Sequence, residues 1–141
     1  MRQIITVSFA AISIVCLGVN MASAEGLSGD QIKKLLIGNT VYSSLENLNH
    51  VKTTRWAYYK DATTRIVRQK RGKNNQRAQW RDFTTEWSVT KNGKICHSTR
   101  RWNKRCRTNV RVSGNMVTMD GIRGVENLKY KLLKGNPQNL K

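Results

Sequence analysis

The chain has 141 residues, 26 of them Lys or Arg against 8 Asp or Glu, for a formal net charge of +18. That length leaves room for one hydrophobic core and excludes two. The charge opposes compaction and favours polyanion partners such as nucleic acid, lipopolysaccharide, anionic lipid or sulfated glycan, while saying nothing about fold.

The first element is a leader. Met1-Arg2-Gln3 is a short cationic start, Ile4 to Leu17 is apolar apart from Thr6, Ser8 and Ser13, and Ala22-Ser23-Ala24 has the small residues of a cleavage site. We read residues 1–24 as a removed secretory signal and 25–141 as a single secreted β-rich domain of 117 residues. The alternative is an uncleaved anchor, but the apolar run is shorter than the ~20 residues that span a bilayer comfortably. Loss of Arg2 leaves 25 basic against 8 acidic residues, a mature charge near +17.

"LSGDQIKKLLIGNT" predicts a short helix. Ser28 and Gln31 have capping-box spacing, Asp30 suits the helix dipole, Ile32, Leu35 and Leu36 form an apolar stripe, and Gly38 is a stop. From Thr40 on, the punctuation is that of hairpins. Thr40 to Leu45, "TRWAYYK" and "TTRIVRQK" read as strands, the last two joined through Lys60-Asp61-Ala62-Thr63. "RIVRQKRGKNNQRAQWR" dissolves after Arg71 into an exposed loop of roughly ten residues, a length that is often mobile and functional. "TEWSVT" and "KICHST" flank Asn92-Gly93, which predicts a type I′ turn with two positive φ values. "RTNVRV" and "MVTM" flank Ser113-Gly114-Asn115, and "IRGVENLKYKLL" closes the series as strand or, through Val125, Leu128 and Leu132, as helix.

The fold class is therefore mainly β: a small antiparallel meander barrel or twisted two-layer sheet of about eight strands with one short N-terminal helix. Closure would remove exposed edges. The expected core is Ile32, Leu36, Val41, Trp56, Tyr58, Ile66, Trp87, Val89, Ile95, Val110, Val112, Val117 and Leu132.

Removal of the leader takes Cys16 and leaves Cys96 and Cys106, an even number in a chain sent to an oxidising space, which predicts a disulfide. The loop it closes has about 11 residues, for which chain entropy gives roughly 2.8 kcal/mol. Structural zinc needs four ligands and only His97 lies nearby; a redox pair needs closer spacing. No metal and no cofactor is expected.

Catalytic candidates are few. His50 and His97 read as surface or internally satisfied histidines, the acidic residues are scattered singly, and Glu86 beside Trp87 is the one carboxylate whose burial is worth inspecting. No P-loop, dinucleotide fingerprint or metalloprotease motif occurs, so no catalytic residue is assigned and an enzyme is not expected.

Two cationic segments carry the stronger signal. One holds Arg65, Arg68, Lys70, Arg71, Lys73, Arg77 and Arg81 around Trp80; the other holds Arg100, Arg101, Lys104, Arg105 and Arg107 around Trp102. Guanidinium and ammonium groups neutralise phosphates, and an exposed indole stacks on a base or beside an acyl chain. The competing reading buries both tryptophans under arginine stems.

The opening helix with Gly38-Asn39-Thr40, "WAYY", Trp87 followed by Cys96 and Cys106, and Gly135-Asn136-Pro137 together resemble a family of small secreted or periplasmic bacterial proteins, mainly alphaproteobacterial, that carry a domain of unknown function. The resemblance covers nearly the whole mature chain. Ala62 replaces a glycine of the family's Asp-Gly-Thr turn, and Thr85-Glu86-Trp87 stands where Gly-x-Trp is expected. It implies an exported β-rich fold and no chemistry.

The functional expectation is a non-enzymatic exported module, periplasmic or secreted, that binds polyanions through the Arg/Lys/Trp segments, with an anionic membrane surface as a further target. The rivals are a small β-barrel holding an apolar ligand, and a module for an acidic protein partner.

Overall fold

The computed structural model describes residues 26–73, 78–99, 102–120 and 128–141, without the side chains of residues 99, 102 and 103. The signal-peptide expectation for residues 1–24 lies outside the described residues. One helix, α1 (Gly29–Leu36), precedes nine strands among the described residues: β1 (Thr40–Glu46), β2 (Val51–Tyr59), β3 (Thr64–Lys73), β4 (Trp80–Val89), β5 (Ile95–Thr99), β6 (Trp102–Arg107), β7 (Arg111–Ser113), β8 (Met116–Met119) and β9 (Leu128–Leu133).

All pairings are antiparallel, in the spatial order β6-β5-β4-β3-β2-β1-β9-β8-β7. This order forces curvature. The two outermost strands, β6 and β7, are joined only by Thr108, Asn109 and Val110, a connection that reaches about 14 Å. In a flat sheet eight inter-strand spacings would separate them by about 38 Å. The sheet must curl, and it forms a half-barrel.

Helix α1 forms for the reasons its sequence announces. Ser28 Oγ accepts from Gln31 N at 3.4 Å while Ser28 N donates to Gln31 Oε1 at 2.8 Å, so the capping box is complete. Its apolar stripe buries Ile32 and Leu36 fully against the concave face of the sheet. Eight residues do not hold a helix alone in water, and docking supplies the rest: Gly29 N donates to Lys91 O at 3.0 Å and Leu27 N to Val110 O at 2.7 Å. A Cβ on Gly29 would lie 2.1 Å from the Thr90 carbonyl oxygen, so only glycine permits this approach.

The β4–β5 hairpin forms as expected, with a different turn. Thr90 N donates to Lys94 O at 3.0 Å and Gly93 N to Thr90 O at 3.0 Å, and only Gly93 takes positive φ, at 77°. This is a three-residue connection ending in a left-handed residue, not a two-residue type I′ turn. The reason is tertiary: Gly93 packs against the segment entering α1, where a Cβ would fall 2.0 Å from Leu27 O.

Two other expectations are corrected. "RTNVRV" is not one strand, because Thr108 to Val110 carry the chain from one edge of the curl to the other. The loop after Arg71 is shorter than ten residues, since β3 runs to Lys73 and β4 begins at Trp80.

The core contains Ile32, Leu36, Val41, Ala57, Tyr59, Val67, Trp87, Ile95, Val110, Val117 and Met119. In β2 the buried parity is Ala57 and Tyr59 rather than Trp56 and Tyr58, which lie half-buried on the convex face with Trp56 4.6 Å from the Tyr42 ring. Both parities of "RWAYY" carry apolar residues, so period alone left the choice open. Val89, Val112 and Leu132 flank the core half-buried.

The C-terminal segment straps back onto the start of β1. Thr40 Oγ1 donates to Gly135 O at 2.7 Å and Gly135 N to Asn39 Oδ1 at 3.0 Å. The distant motifs Gly38-Asn39-Thr40 and Gly135-Asn136-Pro137 are therefore bonded to each other.

Candidate functional site

Strand alternation sends one parity of every strand to the concave face. Beside the apolar core, that same parity also carries polar and charged side chains. β2 contributes Arg55, β3 Arg65, β4 Thr85, β5 His97, β6 Arg105 and Arg107, and β9 Tyr130; these line a cavity of about 150 Å³. Val41, Ala57, Phe83 and Met119 supply its apolar walls, and Ser43 and Tyr59 complete it.

The guanidinium groups are held by neutral acceptors. Arg55 donates from Nε and Nη2 to Gln69 Oε1 at 2.9 and 2.5 Å. Arg65, 9% exposed, donates from Nε to Thr85 Oγ1 at 2.9 Å and lies 5.8 Å from the centre of the Tyr59 ring. Arg107 donates from Nη1 to Cys106 O at 3.3 Å. Among the described residues the ion pairs are Glu46–His50 and Arg68–Asp82, so no described carboxylate pairs with Arg55, Arg65 or Arg107.

This lining sets the protonation states. Burial lowers the pKa of Arg55, and the charge of Arg65 adds to the effect. His97 bonds through Nε2 to the Tyr59 hydroxyl at 3.0 Å and is held down to about 2, first by burial and then by Arg65, Arg55 and Arg107. One side of the imidazole still faces the cavity, yet protonation there would add a cation among cations. Burial also pushes the Tyr130 phenol up. At neutral pH the cavity therefore presents guanidinium charge, a neutral imidazole and phenol hydroxyls, a combination suited to anions.

Cys96 and Cys106 are directly opposite in the β5–β6 pair and form a disulfide with S–S 2.09 Å. Disulfides of this kind persist in oxidising compartments. The bond lies on the convex parity, and its neighbours His97, Arg105 and Arg107 take the concave one. The stapled hairpin thus fixes cavity residues.

The residues expected from sequence are divided by the same alternation. Arg65, Arg105 and Arg107 line the cavity, with Arg105 at its exposed rim. Arg68 lies on the convex side, bound at both oxygens by Asp82 at 2.8 and 2.7 Å. Lys70 is opposite Trp80 in the β3–β4 pair, and Trp80 is 47% exposed, which removes it from the core. Arg71, Lys73, Arg81 and Lys104 are exposed. Arg77, Arg100, Arg101 and the Trp102 side chain lie outside the described residues. Glu86 is exposed, not buried, because its parity is the convex one beside Trp87.

Because β4 pairs with β5, the β3–β4 and β5–β6 hairpins are neighbours and their tips point to the same end of the half-barrel. The cavity residues that sequence reasoning missed are Arg55, Tyr59, His97 and Tyr130. Their signal was the parity they share with core residues: Arg55 with Ala57, and His97 with Ile95. No family model, no curated protein and no solved structure matches this chain.

Proposed function

We propose that the protein is a non-enzymatic exported binding module, periplasmic or secreted, that recognises polyanions through its cationic hairpins. The observation that carries this reading is the β4–β5 pairing, which makes the two charged hairpins neighbours in one sheet, running in the same direction. Lys70, Arg71, Lys73 and Arg81 are exposed on the β3–β4 hairpin, with Trp80 among them to stack on a base or lie against a chain, and Lys104 and Arg105 are exposed on the neighbouring β5–β6 hairpin, where Arg105 is level with Trp87. Asp82 is the acid of that group, and Arg68 occupies both its oxygens. A sulfated or phosphorylated chain laid across the hairpins would release counterions at each cation met.

Heparin and polyphosphate columns test this. The disulfide-bonded protein is expected to bind at low salt and elute steeply as salt rises, and Lys70→Glu with Lys73→Glu is expected to elute earlier. Passage through both columns at low ionic strength would overturn the reading. A purely apolar ligand inside the half-barrel is disfavoured by the guanidinium lining of the cavity.

A further inference from the structure

We propose that the concave cavity is a discrete internal site for a small tetrahedral oxyanion, a phosphate or sulfate group clasped by Arg55, Arg65 and Arg107. The proposal is separate from polyanion recognition by the exposed hairpin cations, since it concerns the cavity in the concave face and the arginines that line it.

Size is the first argument. A cavity of about 150 Å³ is the volume that admits benzene in an apolar interior, so a five-atom oxyanion fits. Charge is the second. Three strands deliver guanidinium groups to the same place, Arg55 from β2, Arg65 from β3, and Arg107 from β6 with Arg105 at the rim, and Arg55, Arg65 and Arg107 act on both His97 and Tyr130. Like charges gathered in a partly buried space repel, and no described carboxylate relieves Arg55, Arg65 or Arg107. An entering dianion would convert that repulsion into attraction.

Donor geometry is the third. Arg65 spends its Nε on Thr85, which is buried, and Arg55 is braced by Gln69. The Nη groups of Arg65 have no protein acceptor among the described residues, yet no described buried polar atom is left without a partner. Those Nη groups therefore border open space, and Arg65 is otherwise buried, so the space is the cavity it lines. Braced guanidinia lose little freedom on binding. Forks arriving from three strands match a tetrahedral set of oxygens, whereas a planar carboxylate serves one fork at a time. His97 is neutral and holds the Tyr59 hydroxyl, so it adds a polar wall without competing charge.

The test is calorimetry and thermal unfolding of the disulfide-bonded protein with inorganic phosphate and with sulfate, against sodium chloride at matched ionic strength. We expect saturable 1:1 binding, a rise in Tm beyond the chloride control, and movement of the His97 imidazole resonances. Arg107→Gln, on an outer strand of the sheet, is expected to weaken binding on the order of tenfold or more; Arg55→Gln and Arg65→Gln are expected to do the same, with folding checked by circular dichroism. A phosphate monoester distinguishes the source: tighter binding than phosphate marks the end group of a larger ligand, and equal or weaker binding marks the free ion. Absence of a saturable effect over chloride would overturn the proposal, as would saturable binding that Arg107→Gln leaves intact. Lys70→Glu with Lys73→Glu, which leaves the cavity untouched, separates the two readings: heparin retention can fail there while phosphate binding persists.

Discussion

Lowering the pH from 7.5 to 5 should remove stability from this fold through one side chain, His97. In the unfolded chain it titrates near the ordinary 6.5, whereas in the fold burial and three arginines hold it down to about 2. The folded pKa of this base is depressed, so as pH falls the unfolded state binds a proton that the native state refuses. Stability is therefore undiminished above the unfolded pKa and declines from about 6.5 downward until about 2. At pH 5 the unfolded imidazole is about 97% protonated, which corresponds to about 2 kcal/mol lost, against almost nothing at pH 7.5. Urea unfolding of wild type and His97→Gln at both pH values isolates this contribution, because glutamine keeps a partner for the Tyr59 hydroxyl and does not titrate. Buffers must lack phosphate and sulfate, which would stabilise the imidazolium. Wild type should lose about 2 kcal/mol more than the variant over this interval; equal losses would refute the environment assigned to His97.

Replacing Cys96 and Cys106 together with alanine should cost about 2–3 kcal/mol, read as a lower urea midpoint with unchanged far-ultraviolet dichroism; an unaltered midpoint would contradict the bond. Gly93→Ala should be costly, about 2 kcal/mol or more, because φ is 77° and the new Cβ meets Leu27 O. Gly114→Ala, at φ 57° with nothing within 4 Å of the new Cβ, should cost about 1 kcal/mol, so thermal melts that rank the two the other way would sink the packing argument. Asn39→Ala removes the acceptor of Gly135 N and the donor to Leu35 O; it should lower stability by about 1–3 kcal/mol and speed proteolysis of the C-terminal strap, and cleavage at the wild-type rate would show that the strap is held elsewhere.

Local chemistry was legible and long-range chemistry was not. The capping box at Ser28 and Gln31, the turn at Lys60 to Thr63 and the cysteine pair all act within a dozen residues, and each was readable as such. Asn92-Gly93 announced a hairpin, but the turn type depends on Leu27 packing against Gly93, a contact far away in the chain. Strand parity in β2 was open because tryptophan and tyrosine occupy one face and alanine and tyrosine the other. The cavity was hidden for a related reason. Arginine at a core parity reads as solvent-facing until the sheet is known to curl, and the curl follows from β1 pairing with β9, which puts β7 at the far edge, and the short link that ties β7 to β6. Trp80, which the sequence left between an exposed indole and a core residue, was open for the same cause: its exposure depends on which face of β4 turns outward.

The central claim is that guanidinium groups gather in the concave face of this half-barrel around a space suited to an anion. The most direct measurement is the anomalous difference density of a crystal of the disulfide-bonded protein soaked in selenate, a heavy analogue of sulfate. A peak enclosed by Arg55, Arg65 and Arg107 is the predicted result. Selenate bound only elsewhere, or a cavity filled by apolar side chains with these arginines turned to solvent, would contradict it.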